Sequence, residues 1–180
     1  MSFDLSKSFI AENSSIFYND KWGVDTMQSE IYKTIVIATD GSENANKAAS
    51  SGIEIAKLAG AKLFAINVMP NIPHLTYFGM PIDPPKKYSI DEKEFYQHIE
   101  ADGKRSLDTV KMMGENAGVK IEVVLAQGHP GSEIIAFAEN NNVDLIVMGT
   151  LGRGGIDRIV MGSVAEDVVR HSKTRVMVVK

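Results

Sequence analysis

The sequence of 180 residues contains no cysteine. This absence excludes disulfide bonds, cysteine-ligated iron–sulfur clusters and a catalytic thiol, and it is compatible with any cellular compartment. Histidine is also scarce, and none of the four histidines pairs with a second ligand at a spacing typical of metal sites. We therefore expect no histidine metal site and assign no catalytic residue from these side chains.

Long apolar runs are missing as well. No apolar segment approaches the roughly 20 residues needed to cross a bilayer. The first thirty residues carry charged side chains from Asp4 to Asp25 and have no continuous apolar segment, which does not resemble a secretory signal. We expect a cytoplasmic protein that has no contact with membranes.

An excess of positive charge is the third absence. The chain has 19 Lys and Arg against 23 Asp and Glu, for a net charge of −4. This balance argues against broad electrostatic binding to nucleic acid. Hydrophobic residues at 44% and charged residues at 23% are typical of a soluble globular protein, and the length suits either one domain with a sizeable core or one domain plus appendages.

What is present is an alternation of strands and helices from residue 31 onward. Apolar, β-branched runs predict five strands, at 34–38, 62–69, 121–126, 143–148 and 176–179. The strands are apolar at nearly every position, which is typical of a parallel sheet covered on both faces.

The helices between these strands have recognisable starts. Ser42 is placed to cap the first helix and Gly60 to end it. Ser89 and Glu92 have the spacing of a capping box before a long second helix. Two shorter helices are predicted at 133–139 and 164–171.

Two segments depart from this rhythm and divide the chain. Residues 1–30 contain the only tryptophan but no sustained period, and we interpret them as an N-terminal extension, either a flexible tail or an arm that packs on the body or on a second subunit. Residues 70–88 hold five of the six prolines and are predicted to form a long surface loop rather than a helix or a central strand. Residues 31–180, with this loop among them, are predicted to form one domain.

A glycine-rich stretch follows the fourth strand, with five glycines among residues 149–163. It lacks the lysine of a P-loop, and Asp157 stands where a dinucleotide fingerprint has its third glycine. The remaining pattern is Gly149-x2-Gly152-x9-Gly162-Ser163 at the start of a helix. Bare glycine backbone and a helix N-terminus together suit a phosphate.

Several residues of this stretch have two interpretations. Ser163 is expected either to donate to a phosphate oxygen or to cap its helix, and the N–H groups from Gly162 to Val164 are expected to face the ligand. Arg153 and Arg158 either add positive charge to the site or are solvated. If the strand order is 3-2-1-4-5, Asp40 lies across the crevice from Gly149, where it either accepts hydrogen bonds from ribose hydroxyls or serves as a turn residue before the first helix.

Four pieces in order resemble the universal stress protein family. They are the opening Tyr32-Lys33-Thr34-Ile35-Val36-Ile37-Ala38-Thr39-Asp40-Gly41-Ser42, the turn Gln127-Gly128-His129-Pro130, the glycine pattern of the family's ATP-binding branch, and the closing Val176-Met177-Val178-Val179. The similarity covers 31–180 apart from the proline-rich loop. One departure is Ala38, where some ATP-binding members have proline.

The resemblance implies an α/β fold, a doubly wound open sheet of five parallel strands in the order 3-2-1-4-5, and ATP at the crevice. It implies that Asp40 contacts the ribose region and that the Val68 backbone pairs with adenine. Together, the resemblance and the glycine pattern assign eleven nucleotide-binding residues: Ala38, Thr39, Asp40, Val68, Met148, Gly149, Gly152, Arg153, Gly162, Ser163 and Val164.

These features favour a nucleotide-binding regulatory module, with ATP as ligand and Mg or Mn on its phosphates. The alternative is a slow ATPase or nucleotidyl-transferring enzyme that uses the same crevice, for which Asp157 is the one carboxylate of the loop. A third hypothesis is an interaction protein whose glycine loop is only structural. We also predict a homodimer through the last strand, with Met177 and Val178 near its axis.

Overall fold

In a computed structural model, the structure describes residues 31–71, 76–77, 80–81, 92–152 and 161–180. The described residues form seven strands: β1 (Thr34–Ala38), β2 (Lys62–Met69), β3 (Thr76–Tyr77), β4 (Met80–Pro81), β5 (Ile121–Gln127), β6 (Leu145–Gly149) and β7 (Arg175–Val179). Five of them make a parallel sheet in the order β5-β2-β1-β6-β7. In the numbering of that sheet alone, this is the predicted order 3-2-1-4-5, so the fold prediction is confirmed.

The two central strands are buried on both faces. Val36 and Ile37 of β1 and Ile146 and Val147 of β6 have no exposed surface. Because helices cover both sides of the sheet, consecutive residues of a strand point into two different cores and both must be apolar. This is why the strands are apolar runs and show no polar alternation.

In the part of the chain that the structure describes, four helices flank the sheet: α1 (Glu43–Ala59), α2 (Glu92–Ala117), α3 (Pro130–Asn140) and α4 (Ser163–His171). One core lies between the sheet and the α1–α2 layer, and a second lies under α3 and α4. The predicted ends of α1 are confirmed, because the Ser42 hydroxyl accepts from the Ala45 N–H at 3.2 Å and Gly60 has a φ of 63°. Both features stop the backbone groups at a helix end from being left unpaired.

Helix α2 lies close to the sheet at two glycines. A Cβ at Gly103 would lie 2.7 Å from the Oδ1 of Asn67, and one at Gly114 would lie 2.9 Å from the Val119 carbonyl. A side chain at either position would force its neighbours to shift, and glycine permits the close approach.

Some predicted boundaries were wrong by a few residues. Helix α3 begins at Pro130 instead of residue 133, since proline suits the first helical turn, where its missing N–H is not needed. Strand β6 begins at Leu145 instead of residue 143, and the side chain of Asp144 bonds to the backbone of Lys33 and Thr34 instead.

The proline-rich segment corrects a broader prediction. It was expected to be a loop throughout, yet β3 and β4 pair within it as a separate antiparallel ladder, Thr76 with Pro81 and Tyr77 with Met80. In a two-stranded ladder each strand is an edge, where proline is tolerated. The rest of the segment beyond Asn71 lies outside the described residues. The same holds for Ser89 of the predicted capping box and for the 1–30 extension.

No helix in the described part of the chain is both long and apolar enough to span a bilayer.

Candidate functional site

A cavity of about 640 Å³ lies beyond the carboxyl ends of β1, β2 and β6. β1 and β6 are neighbours, and the chain leaves them toward opposite sides of the sheet, which is where open α/β sheets bind ligands. Ten of the eleven residues assigned from the sequence line this cavity: Ala38, Thr39, Asp40, Val68, Met148, Gly149, Gly152, Gly162, Ser163 and Val164. The eleventh, Arg153, lies outside the described residues, as do Asp157 and Arg158.

The end of β1 is held by a set of short hydrogen bonds. The Thr39 N–H donates to the Ile66 carbonyl at 2.9 Å, and the Thr39 hydroxyl oxygen accepts from the Gly41 N–H at 3.2 Å. The Asp40 Oδ1 accepts from the Ser42 N–H at 3.0 Å, which closes an Asx turn before α1. The turn interpretation of Asp40 is therefore observed, while Ser42 is the residue that caps the helix.

The second oxygen of Asp40 faces the glycine loop. A Cβ at Gly152 would lie 2.6 Å from the Asp40 Oδ2, so glycine at this position makes room for the carboxylate. Of the described residues that line the cavity, Asp40 is the only one with an ionisable side chain. The site therefore carries one negative group, on the side formed by β1.

Gly149 has a packing reason that the sequence did not reveal. A Cβ there would lie 2.9 Å from the backbone carbon of Asn44 and 3.0 Å from the backbone nitrogen of Ala45. The first turn of α1 thus packs directly on the end of β6. This close packing accounts for glycine at this position without any ligand.

The start of α4 corrects the expectation for Gly162. Its N–H was predicted to face a phosphate, but it donates to the Thr150 carbonyl at 2.8 Å and closes the base of the loop. Gly162 is also the N-cap of the helix, so Ser163 is the first helical residue and does not cap it. The capping interpretation of Ser163 is wrong for that reason.

The first turn of α4 nevertheless keeps backbone donors available. A helix leaves its first N–H groups without an intrahelical acceptor, here those of Ser163, Val164 and Ala165. No side-chain cap bonds to them within the described residues. All three residues line the cavity, so the positive end of the α4 dipole faces it.

The remaining wall is apolar and suits a flat, uncharged group. It is formed by Ala38, Ile66, Val68, Ile134 and Met148. A cavity that combines an apolar wall with a helix N-terminus is chemically divided: the wall suits a ring system, and the helix N-terminus suits an anion.

Sequence reasoning missed Asn67, which also borders the cavity. Its side chain is buried, with 8% of the residue exposed, and its Nδ2 donates to the Thr39 carbonyl at 2.8 Å. The available signal was a single amide residue inside the apolar run of β2, because a buried polar group is stable only when it is bonded.

A polar cluster next to the cavity joins α3 to α4. The His171 Nδ1 lies 2.9 Å from the Asp167 Oδ1, and the His129 Nδ1 lies 3.7 Å from the Asp167 Oδ2. Asp167 also packs against the bare backbone of Gly131. These contacts tie the start of α3 to the second half of α4.

Comparison with known proteins agrees with this architecture. The model of the universal stress protein family matches residues 31–180. A universal stress protein of Methanocaldococcus jannaschii is 41% identical over 150 residues, which covers 83% of each chain.

Two solved structures share the fold across most of the chain. The protein MJ0577 superposes with a TM-score of 0.67 at 28% identity and covers 83% of this chain and 96% of its own. A universal stress protein in complex with cAMP superposes with a TM-score of 0.60 at 25% identity and covers 83% of this chain and 98% of its own. With the family model spanning all of 31–180, this chain belongs to the universal stress protein family.

Proposed function

We propose that this chain is a cytoplasmic, ATP-binding regulatory module of the stress response, with residues 31–180 as the binding domain. The observation that carries the proposal is the uncapped first turn of α4, which faces a cavity that also has an apolar wall. Backbone donors and a helix dipole favour phosphate, and the apolar wall favours a base.

In this proposal the nucleotide has one orientation in the cavity. The N–H groups from Ser163 to Ala165 bind phosphate oxygens, and the Asp40 carboxylate accepts from ribose hydroxyls. The adenine lies against the apolar wall, where the Val68 backbone pairs with its edge. The N–H of Gly162 is already bonded to the Thr150 carbonyl, so it does not bind the phosphate. Gly162 instead contributes to the shape of the site, because it lies close to the 150–152 backbone.

A divalent ion accompanies the nucleotide in this proposal. Mg²⁺ in proteins is commonly held by phosphate oxygens, water and only one or two carboxylates. The single carboxylate that borders the described cavity, Asp40, is compatible with such a phosphate-held ion. When bound, Mg or Mn neutralises phosphate charge.

Nucleotide content and calorimetry test the ligand. Protein purified without added nucleotide is examined by mass spectrometry for bound ligand, and ATP, ADP, AMP and cAMP are then titrated with Mg²⁺. We expect ATP to bind at least about tenfold more tightly than AMP, because additional phosphates reach the donors of α4.

Three outcomes contradict the ATP assignment. Equal affinities for ATP and AMP would contradict the proposed contacts between α4 and the additional phosphates. Tighter binding of cAMP than of ATP would make a cyclic monophosphate the ligand. Binding of none of the four would favour a glycine loop that is only structural.

We propose that the protein binds ATP but hydrolyses it slowly at best. Backbone N–H groups stabilise the ground-state charge of the phosphates, and only interactions that are stronger in the transition state raise the rate. Turnover is expected far below the roughly 1–1000 per second of typical enzymes. A rate in that range, abolished in Asp157→Asn while ATP affinity is kept, would support the slow-enzyme alternative and reject the module.

We also propose a homodimer through β7. The Thr150 N–H donates to the Val179 carbonyl at 2.8 Å, so the peptide groups of Val179 face β6. Because directions alternate along a strand, those of Val178 face the open edge of the sheet. Met177, on this edge strand, has 36% of its surface exposed in the single chain.

Val178→Pro tests this interface selectively. It removes an N–H that points away from β6, so the ladder within the sheet is kept while pairing across the edge is lost. We expect light scattering to give a dimer for the wild type and for the control Val178→Ala, and a monomer or precipitate for Val178→Pro. A soluble Val178→Pro dimer would exclude pairing at this edge.

A further inference from the structure

The peptide groups of β2 change neighbours at the cavity. The Ile66 carbonyl accepts from the Thr39 N–H at 2.9 Å, so the Ile66 peptide groups face β1. The Met69 carbonyl accepts from the Gly128 N–H at 2.9 Å, so those of Met69 face the β5 side. Since directions alternate along a strand, the N–H and C=O of Val68 point to the β1 side, beyond the last residue of β1.

A regular ladder would use the Val68 N–H internally. With Ala38 paired to Ile66, the next bond of a parallel pair runs from the Val68 N–H to the Thr39 carbonyl. That carbonyl instead accepts from the Asn67 Nδ2 at 2.8 Å. A side chain therefore takes the position in the ladder that a backbone donor would otherwise occupy.

The Asn67 side chain is held in place from the opposite face of the sheet. It is buried, and its Oδ1 lies where a Cβ at Gly103 would approach to 2.7 Å, so α2 leaves just enough space for the amide. The apolar wall of the cavity lies on the other face, with Ile66 and Val68. Asn67 borders the cavity, and its amide group acts there through the Thr39 carbonyl that it bonds.

We propose that Asn67 is the positioning residue of a base subsite: by binding the Thr39 carbonyl, it keeps the N–H and C=O of Val68 available to a base that presents a donor next to an acceptor. This inference rests on the proposed nucleotide function and deepens it. On its N6/N7 edge adenine presents the amino donor beside the N7 acceptor, whereas the same edge of guanine carries two acceptors, O6 and N7. The Asn67–Thr39 bond thereby supports selectivity for adenine without touching the ligand.

Hydrogen exchange of one amide tests the proposal without any ligand. In the wild-type protein the Val68 amide is expected to exchange quickly, because no backbone acceptor protects it. In Asn67→Leu and Asn67→Ala the Thr39 carbonyl becomes available, and the Val68 amide is expected to exchange about tenfold or more slowly. General loosening of the fold would speed this exchange, so the sign separates positioning from simple destabilisation.

Base selectivity provides the second readout. Calorimetry with ATP, GTP and inorganic tripolyphosphate is expected to show a ratio of ATP to GTP affinity about tenfold lower in both Asn67 variants, with unchanged binding of tripolyphosphate. Gly103→Ala should lower the same ratio, because its Cβ displaces the Asn67 amide. Gly114→Ala, also in α2, crowds Ile121 and Val119, which do not line the cavity, and serves as the matched control with unchanged selectivity.

The two proposals fail in different ways. A wild-type protein that binds neither ATP nor tripolyphosphate overturns the nucleotide function. A wild-type protein that prefers ATP, with Asn67 variants that keep this preference, overturns the positioning role alone. A Val68 amide that is already protected in the ligand-free wild type also overturns it.

Discussion

The two ends of the same parallel sheet use their hydrogen bonds differently. At the amino end, the Lys62 N–H donates to the Lys33 carbonyl and the Asp144 N–H to the Thr34 carbonyl, both at 2.8 Å. The Asp144 Oδ2 accepts in turn from the N–H groups of Lys33 and Thr34, at 2.8 and 2.9 Å. The strand starts are thus bonded to one another.

At the carboxyl end, side chains take over bonds and release the backbone. Asn67 binds the Thr39 carbonyl, and the first turn of α4 has no side-chain cap among the described residues. Unpaired donors weaken a fold slightly, but they are what a ligand needs. The donors that are left without a partner thus lie at the carboxyl end of the sheet, where we propose that the ligand binds.

Asp144→Ala is expected to have the largest effect on this comparison. It removes an acceptor shared by two backbone N–H groups, at a cost of about 2 kcal/mol in the free energy of unfolding. Urea denaturation measures the loss, and Asp144→Asn, which keeps one acceptor oxygen, should lose less. ATP affinity of the folded protein should be unchanged, and a large fall in affinity would break the separation between the two ends.

Gly152→Val should show the opposite pattern at the carboxyl end. Its Cβ meets the far end of the Asp40 side chain, which is able to move, so the fold is retained. With the carboxylate displaced and the loop backbone covered, ATP affinity should fall roughly tenfold or more, close to 1.4 kcal/mol. Calorimetry measures the affinity, and circular dichroism checks the fold.

A double-mutant cycle sharpens this prediction. If Gly152→Val acts through Asp40, the substitution should weaken ATP binding much less in an Asp40→Ala background. Equal losses in both backgrounds would mean that the new side chain blocks the ligand directly.

Lys62→Ala should have the smallest effect, although it also lies at the amino end. Its Nζ is 3.3 Å from the Glu122 Oε2 and 4.4 Å from the centre of the Phe64 ring, but both charged side chains are about half exposed. Such pairs contribute about 0.5 kcal/mol, and added salt should reduce this further. Urea denaturation at low and high salt gives the value, and a loss of several kcal/mol would contradict it.

The sequence predicted the architecture because the architecture depends on local patterns. Five apolar runs gave five parallel strands, and the cap at Ser42 and the stop at Gly60 were read from single residues. Strands β3 and β4 could not be predicted, because two residues show no periodicity.

The site was less predictable for a different reason. Three contacts of the site join residues that are distant in the chain. They are the bond from the Gly162 N–H to Thr150, the contact of Gly149 with Asn44, and the bond from Asn67 to Thr39. A glycine needed for packing and a glycine needed for a phosphate are identical in one sequence. Only the tertiary neighbours separate the two.

The backbone of Thr150 is hydrogen-bonded to two separate elements of the fold. Its carbonyl accepts from Gly162 at the start of α4, and its N–H donates to Val179 in the last strand. One peptide segment therefore connects the helix end that faces the cavity with the strand at the edge of the sheet. Thermodynamic reciprocity applies to any such link: if subunit association changes the affinity for a ligand at α4 by some factor, the ligand must change the association constant by the same factor.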